Sequence, residues 1–203
     1  MIPTQKIPTT MNEFWLYFKM GFDHVINWYN YAHILFIILL AVAYQFNAWK
    51  RLLVLLTLFT LGYLLAVMMV SYEVVKVSLG MVEFLIAVVI IFTALFNIFT
   101  AGKEKRREKM GLLFALSLFL GLLRGLEFAP YFLDSIGQNS KLLALLEVAL
   151  GVEAAQLLVA LIVLVIGAIV QTIFRFNKKD WVLVISSIIV GLSLPMLFNS
   201  WNF

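Results

Sequence analysis

The chain has 203 residues, of which 64% are hydrophobic and only 13% charged, with a mean hydropathy of +1.02. An ordinary globular domain is about half apolar and about a quarter charged, so this composition excludes a soluble domain and predicts a chain that sits mostly in lipid. The lack of cysteine removes disulfides and thiolate metal ligands. The net charge of +4 reads as a topology signal rather than as a nucleic-acid surface.

Residues 1–10 are polar, carry Pro3 and Pro8, and contain no apolar run of the signal-peptide kind. The stretch 11–30 interleaves Phe14, Trp15, Phe18, Phe22, Val25, Ile26 and Trp28 with Glu13, Lys19, Asp23 and His24. That pattern predicts an amphipathic helix at the membrane interface or partly inserted. Residues 1–30 therefore read as a polar terminus plus interfacial helix, and 31–203 as the membrane domain.

One span takes about 20 residues, given about 30 Å of hydrocarbon and a rise of about 1.5 Å per residue. Six segments qualify: 32–47, 51–71, 79–100, 110–133, 141–174 and 180–200. Polar or charged clusters separate them, such as Asn47-Ala48-Trp49-Lys50-Arg51 and Ser71-Tyr72-Glu73. The first is short and the fifth is long enough to tilt or to project beyond the bilayer. The predicted fold class is all-α, a polytopic bundle of about six spans.

Loops after the first, third and fifth spans hold ten cations: Lys50, Arg51, Lys103, Lys105, Arg106, Arg107, Lys109, Arg175, Lys178 and Lys179. The opposite side holds four, Lys6, Lys19, Lys76 and Lys141. Because cytoplasmic loops are enriched in Lys and Arg, this bias predicts a bacterial inner-membrane protein with both termini outside. Most of the bias comes from the run 103–109.

Ionisable groups inside spans are costly unless they are paired or face a cavity, so each one marks a candidate site. They are Glu83, Arg124, Glu127, Glu147 and Glu153, with Gln156 beside the last and His24 and His33 near the outer ends. With the orientation above, all fall in the outer half of the bilayer and predict one polar pocket open to the outside. The inner half offers only Asn97, Thr93 and Thr57. Arg124 and Glu127, at i and i+3, can pair directly; Glu147 is grouped with them. Small residues at Gly121 and Gly125, Gly151 and Ala155, and Gly62 and Ala66 predict close helix approach at the same levels. A structural ion pair that fixes helix register is the competing reading of Arg124 and Glu127. Met68, Met69 and Met81 read as packing, and Trp15, Tyr17, Trp28, Tyr29, Tyr31, Trp181 and Trp201 as interfacial belt residues.

Several blocks in register carry a family resemblance. They are Gly21-Phe22-Asp23-His24 followed by His33, then Thr57 through Gly62, then Val82-Glu83-Phe84 ending in Asn97. Gly121-Leu122-Leu123, Gly125-Leu126, Gly151-Val152-Glu153 with Gln156, and Asp180-Trp181 complete the series. Over residues 11–198 the chain resembles the HupE/UreJ family of bacterial membrane proteins. Members are associated with nickel, and in some cases cobalt, supply to hydrogenase or urease. The resemblance implies a permease whose metal site would use His24, His33, Glu83, Glu153 and Gln156.

The chain departs from that pattern at the ligands. Ala32 stands where the family has Asp, Tyr63 and Arg124 stand where it has His, Glu127 where it has Gly, and Ala149 where it has Asn. Two readings follow. One is a nickel or cobalt permease or accessory protein whose divalent-metal binding is weakened or lost. The other is a metal-independent structural, sensing or partner-binding membrane protein, a natural descendant or an engineered variant, with an Arg-Glu core and no cofactor. No Ser/His, Cys/His or HExxH arrangement is present, so an enzyme is not expected. The bilayer is the one partner implied directly; a protein partner is not legible.

Overall fold

A computed structural model describes residues 10–28, 31–76, 78–102, 110–136 and 141–201. Its helices are α1 (Thr10–Ile26), α2 (Ala32–Val42), α3 (Trp49–Ser71), α4 (Leu79–Thr100), α5 (Met110–Ser135), α6 (Lys141–Ile173) and α7 (Lys178–Asn199). A 3-10 turn at Phe46–Ala48 links α2 to α3, and no strand occurs among the described residues. The protein is a polytopic helix bundle in which five helices, α3 to α7, are long and apolar enough to cross a membrane.

The first expected span, 32–47, is where sequence and structure differ. Helix α2 stops at Val42 after 11 residues, about 16 Å at 1.5 Å per residue, roughly half a bilayer core. Gln45 takes an extended conformation, with φ −125° and ψ 167°, and the chain tightens into the 3-10 turn before α3 begins. Nine of the 11 residues of α2 are buried. It is an interior half-length helix, and five rather than six helices have full spanning length.

Contacts between helix ends show the antiparallel order. At one face, Lys141 Nζ donates to the Ser71 carbonyl at 3.4 Å, and the Phe84 ring meets Trp201 edge to face. At the opposite face, Gln45 Nε2 donates to Gln171 Oε1 at 2.9 Å, and the Lys179 side chain lies over Gly102. Gly102 ends the chain's turn out of α4 at φ +76°, a left-handed conformation that glycine adopts without strain. This second face carries the exposed Lys50, Arg51, Arg175, Lys178 and Lys179. The cations of 103–109, on which much of the orientation argument rests, lie outside the described residues.

Two glycine seams hold the bundle. Between α3 and α5, a Cβ at Gly121 would overlap the Phe59 carbonyl, and one at Gly125 would overlap the Tyr63 carbonyl; Gly62 meets Leu118 in the same way. Between α1 and α6, a Cβ at Gly151 would overlap the Phe18 carbonyl and one at Gly21 the Val148 carbonyl. The amphipathic stretch is therefore docked by its Tyr17, Gly21 and Val25 edge, which is buried, while Trp15 and Leu16 remain exposed. Backbone contact this close replaces the missing hydrophobic drive with dense van der Waals packing.

Candidate functional site

The seam between α3 and α5 brings the charged centre into the bundle. Gly121 and Gly125 press α5 onto α3, and Arg124, between them in sequence, is 1% exposed. Its Nη1 donates to Glu127 Oε2 at 2.6 Å, with Glu127 13% exposed. A charge-assisted bond of this length is the strong kind, and the i,i+3 spacing on one helix face positions both partners without any help from elsewhere in the chain.

This pair lines a cavity of about 320 Å³ with Ala32, Glu83, Met196, Asn199 and Ser200. The cavity lies toward the face formed by the start of α4 and the end of α7. Glu83 contributes from α4 and is itself exposed. Three of the expected pocket groups, Glu83, Arg124 and Glu127, are thus brought together, and Ala32 lines the same cavity.

Next to this cavity lies a buried aromatic and polar cluster. The ring centroids of His24 and His33 are 6.1 Å apart, and that of Tyr63 is 6.1 Å from His24. Phe128 packs 4.5 Å from His24, and Phe59 4.7 Å from His33. Gln156 Nε2 is 3.4 Å from His33 Nε2, which ties α6 to α2 at this level. His24 Nε2, His33 Nδ1, Tyr63 Oη and Gln156 Oε1 are buried and have no hydrogen-bond partner among the described residues. Buried polar groups are almost always paired, so four such atoms in one cluster are a concentration of unmet hydrogen-bonding capacity in the interior.

The remaining candidates lie elsewhere, so the expected single pocket is divided. Glu153 is three residues from Gln156, about 60° round the helix, and it faces α3 rather than α2. There Thr57 Oγ1 donates to its Oε1 at 3.0 Å, and the Thr60 hydroxyl bonds its Oε2. Glu147 does not join the Arg124 pair: it lies on the first part of α6, where its electrostatic neighbour is Glu13 of α1. Ala149 is buried on the same helix beside Val148, whose carbonyl meets Gly21. Among the described residues no group of three or more His, Asp or Glu is placed to hold a metal ion.

The polar residues expected at the inner half bond within the fold. Asn97 Nδ2 donates to the Leu39 carbonyl at 2.8 Å, tying α4 to α2, and Thr93 Oγ1 returns to the Val89 carbonyl at 2.7 Å. Two residues that the sequence offered as lining for a path are hydrogen-bonded within the fold.

Against this geometry, the family model described as HupE / UreJ protein matches residues 3–200, nearly the whole chain. The chain belongs to the HupE/UreJ family. Neither the curated proteins nor the solved structures contain a match to it. Within the HupE/UreJ fold as this chain builds it, three of the positions expected to depart from the family pattern converge in space. Tyr63 and Arg124 stand within electrostatic reach of each other, and Ala32 lines the cavity with Arg124. Sequence spacing could not have shown this convergence, because the three residues come from three helices.

Proposed function

We propose that the protein is a non-catalytic, permease-like member of the HupE/UreJ family in which the Arg124–Glu127 pair stands in place of the divalent metal, so that nickel and cobalt no longer load. The observation that carries this reading is the 2.6 Å bond itself. To ligate a metal, Glu127 would have to share its carboxylate between the ion and the Arg124 guanidinium. Opposing the attraction of Glu127 and Glu83 in the same cavity, the Arg124 guanidinium by itself would repel a divalent ion 4–6 Å away by about 6–8 kcal/mol at an effective dielectric near 20. The imidazoles offer little to offset it, because Glu83 and Glu153 lie outside their cluster and His33 Nε2 already faces the Gln156 amide. The fit to a divalent ion is poor, and the function left to the protein is metal-independent: structural, sensing or partner-binding.

Isothermal titration of the purified protein with Ni²⁺, Co²⁺ and Zn²⁺ tests this directly. No binding in the micromolar range is expected, and the triple variant Ala32→Asp, Tyr63→His, Arg124→His should gain it, together with uptake of radioactive nickel by expressing cells. Micromolar binding by the unmodified chain, lost on His24→Ala or His33→Ala, would overturn the reading.

The same proposal places the protein in the bacterial inner membrane with both termini outside, supported by the cations at the Gln45 and Lys179 face. Since the chain has no cysteine, single thiols report sidedness without background. In intact spheroplasts, Lys76→Cys should react with a membrane-impermeant maleimide, whereas Lys179→Cys should react only after lysis. The reverse pattern would invert the orientation.

A further inference from the structure

The basic face carries a groove unrelated to the Arg124 site. Between α3 and α6 lies a cavity of about 380 Å³ walled by Leu53, Leu56, Leu157 and Leu161, with Phe46 and Trp49 at its mouth. Its lining on α3 runs from Trp49 to Leu56, and on α6 from Leu157 to Leu164. Two helical turns are about 11 Å long, most of the depth of one leaflet's hydrocarbon, which is half of about 30 Å. Deeper in the bundle the same two helices are joined by Thr57 and Thr60 bonding Glu153, which closes the groove off. A through-going helix would need a stripe along the whole seam; a single acyl chain needs only this length.

The polar surroundings complete the match. Phe46 and Leu164 also line a second cavity of about 290 Å³ that contains Gln45, Asn47, Gln171, Thr172 and Trp181. Amide, hydroxyl and indole donors therefore lie directly beside the apolar groove. The exposed Lys50 and Arg51 follow Trp49 at the mouth, and Arg175, Lys178 and Lys179 lie on the same face, where Asp180 is the one acid among the described residues. Basic clusters next to grooves between spanning helices suit anionic headgroups.

We infer that this groove and the cavity beside it form a binding site for one anionic phospholipid, with an acyl chain between α3 and α6 and the phosphate headgroup over Gln45, Gln171 and the Lys50–Arg51 pair. Trp49, exposed at the mouth, suits the headgroup level where belt residues lie. The site is independent of whether Arg124 excludes a metal.

Native mass spectrometry of the full chain in mild detergent, with phosphatidylglycerol or phosphatidylcholine of identical acyl chains added, provides the test. One phosphatidylglycerol should be retained at least tenfold better than phosphatidylcholine. Lys50→Ala with Arg51→Ala should remove the preference, and Leu161→Trp, which fills the groove from a lipid-exposed position, should remove retention of both. A photoactivatable phosphatidylglycerol on the unmodified protein gives a readout independent of folding in the variants: crosslinks should map to 46–56 and 157–164. Equal retention of the two lipids, crosslinks elsewhere, or a dimer in place of bound lipid would overturn the assignment.

Discussion

Arg124→Ala should destabilise the folded protein by about 3–5 kcal/mol, because it leaves the Glu127 carboxylate partly buried without its guanidinium. Glu127→Ala should cost a similar amount for the mirror reason, and its victim is the more deeply buried charge, at 1% exposure. Replacing both, as Arg124→Met with Glu127→Leu, should recover most of the loss and can even exceed the starting stability. Two charges taken out of water cost more than their attraction returns, so well-packed apolar side chains of similar volume are often equal or better. Reversible unfolding in mixed micelles of Arg124→Met, Glu127→Leu and the double variant, arranged as a double-mutant cycle, gives the coupling. A double variant whose loss equals the sum of the two single losses would show that the pair is not one interacting unit. A recovered double variant would show that Arg124 and Glu127 are kept for what they do in the cavity, not for stability.

Gly121→Leu and Gly151→Leu are expected to be nearly as damaging, through overlap instead of charge. At both positions the new side chain would begin inside a backbone carbonyl, Phe59 for Gly121 and Phe18 for Gly151, and backbone cannot rotate away as a side chain can. Overpacking of a dense interior typically costs about 1–3 kcal/mol and sometimes more; contact with backbone places these two at or above the upper end. The consequences should differ by seam. Gly121→Leu pushes α5 off α3 and so separates Arg124 from Tyr63. Gly151→Leu releases α1 from α6, and proteolysis between α1 and α2 should accelerate at least tenfold. Gly191→Ala is the control: nothing lies within 4 Å of its Cβ, and alanine in a helix interior is about 0.5–1 kcal/mol better than glycine. Loss of stability at Gly191 equal to that at Gly121 would show that helix flexibility, not close approach, explains all three.

The charged pair was legible because it is local. Arg124 and Glu127 are three residues apart, and helical geometry alone puts them on one face. The small-residue spacings were legible for the same reason, although the partner of Gly151 proved to be α1. Glu153 was not legible. Its bonds come from Thr57 and Thr60, separated from it by 96 and 93 positions, and no periodicity relates residues on two different helices. Glu147 was misplaced on similar grounds: depth along a span is readable, but the direction a side chain faces is not.

What the sequence by itself determined is the class of environment, the helix ends and the family. Composition forbade an aqueous surface, polar clusters terminated α3 through α7 within a few residues of their expected limits, and the motifs in register pointed to HupE/UreJ, whose model spans 3–200. What only the tertiary structure decided is which face of each helix turns inward. In a soluble helix the apolar stripe marks the core, but in lipid an apolar side chain is equally well placed against a neighbour or against an acyl chain. Leu56 is buried and Leu61 exposed on the same helix, and nothing in their chemistry distinguishes them. The short interior α2, the docking of α1, and the division of one expected pocket into an arginine cavity, a histidine cluster and a threonine-bound carboxylate all follow from that choice of faces.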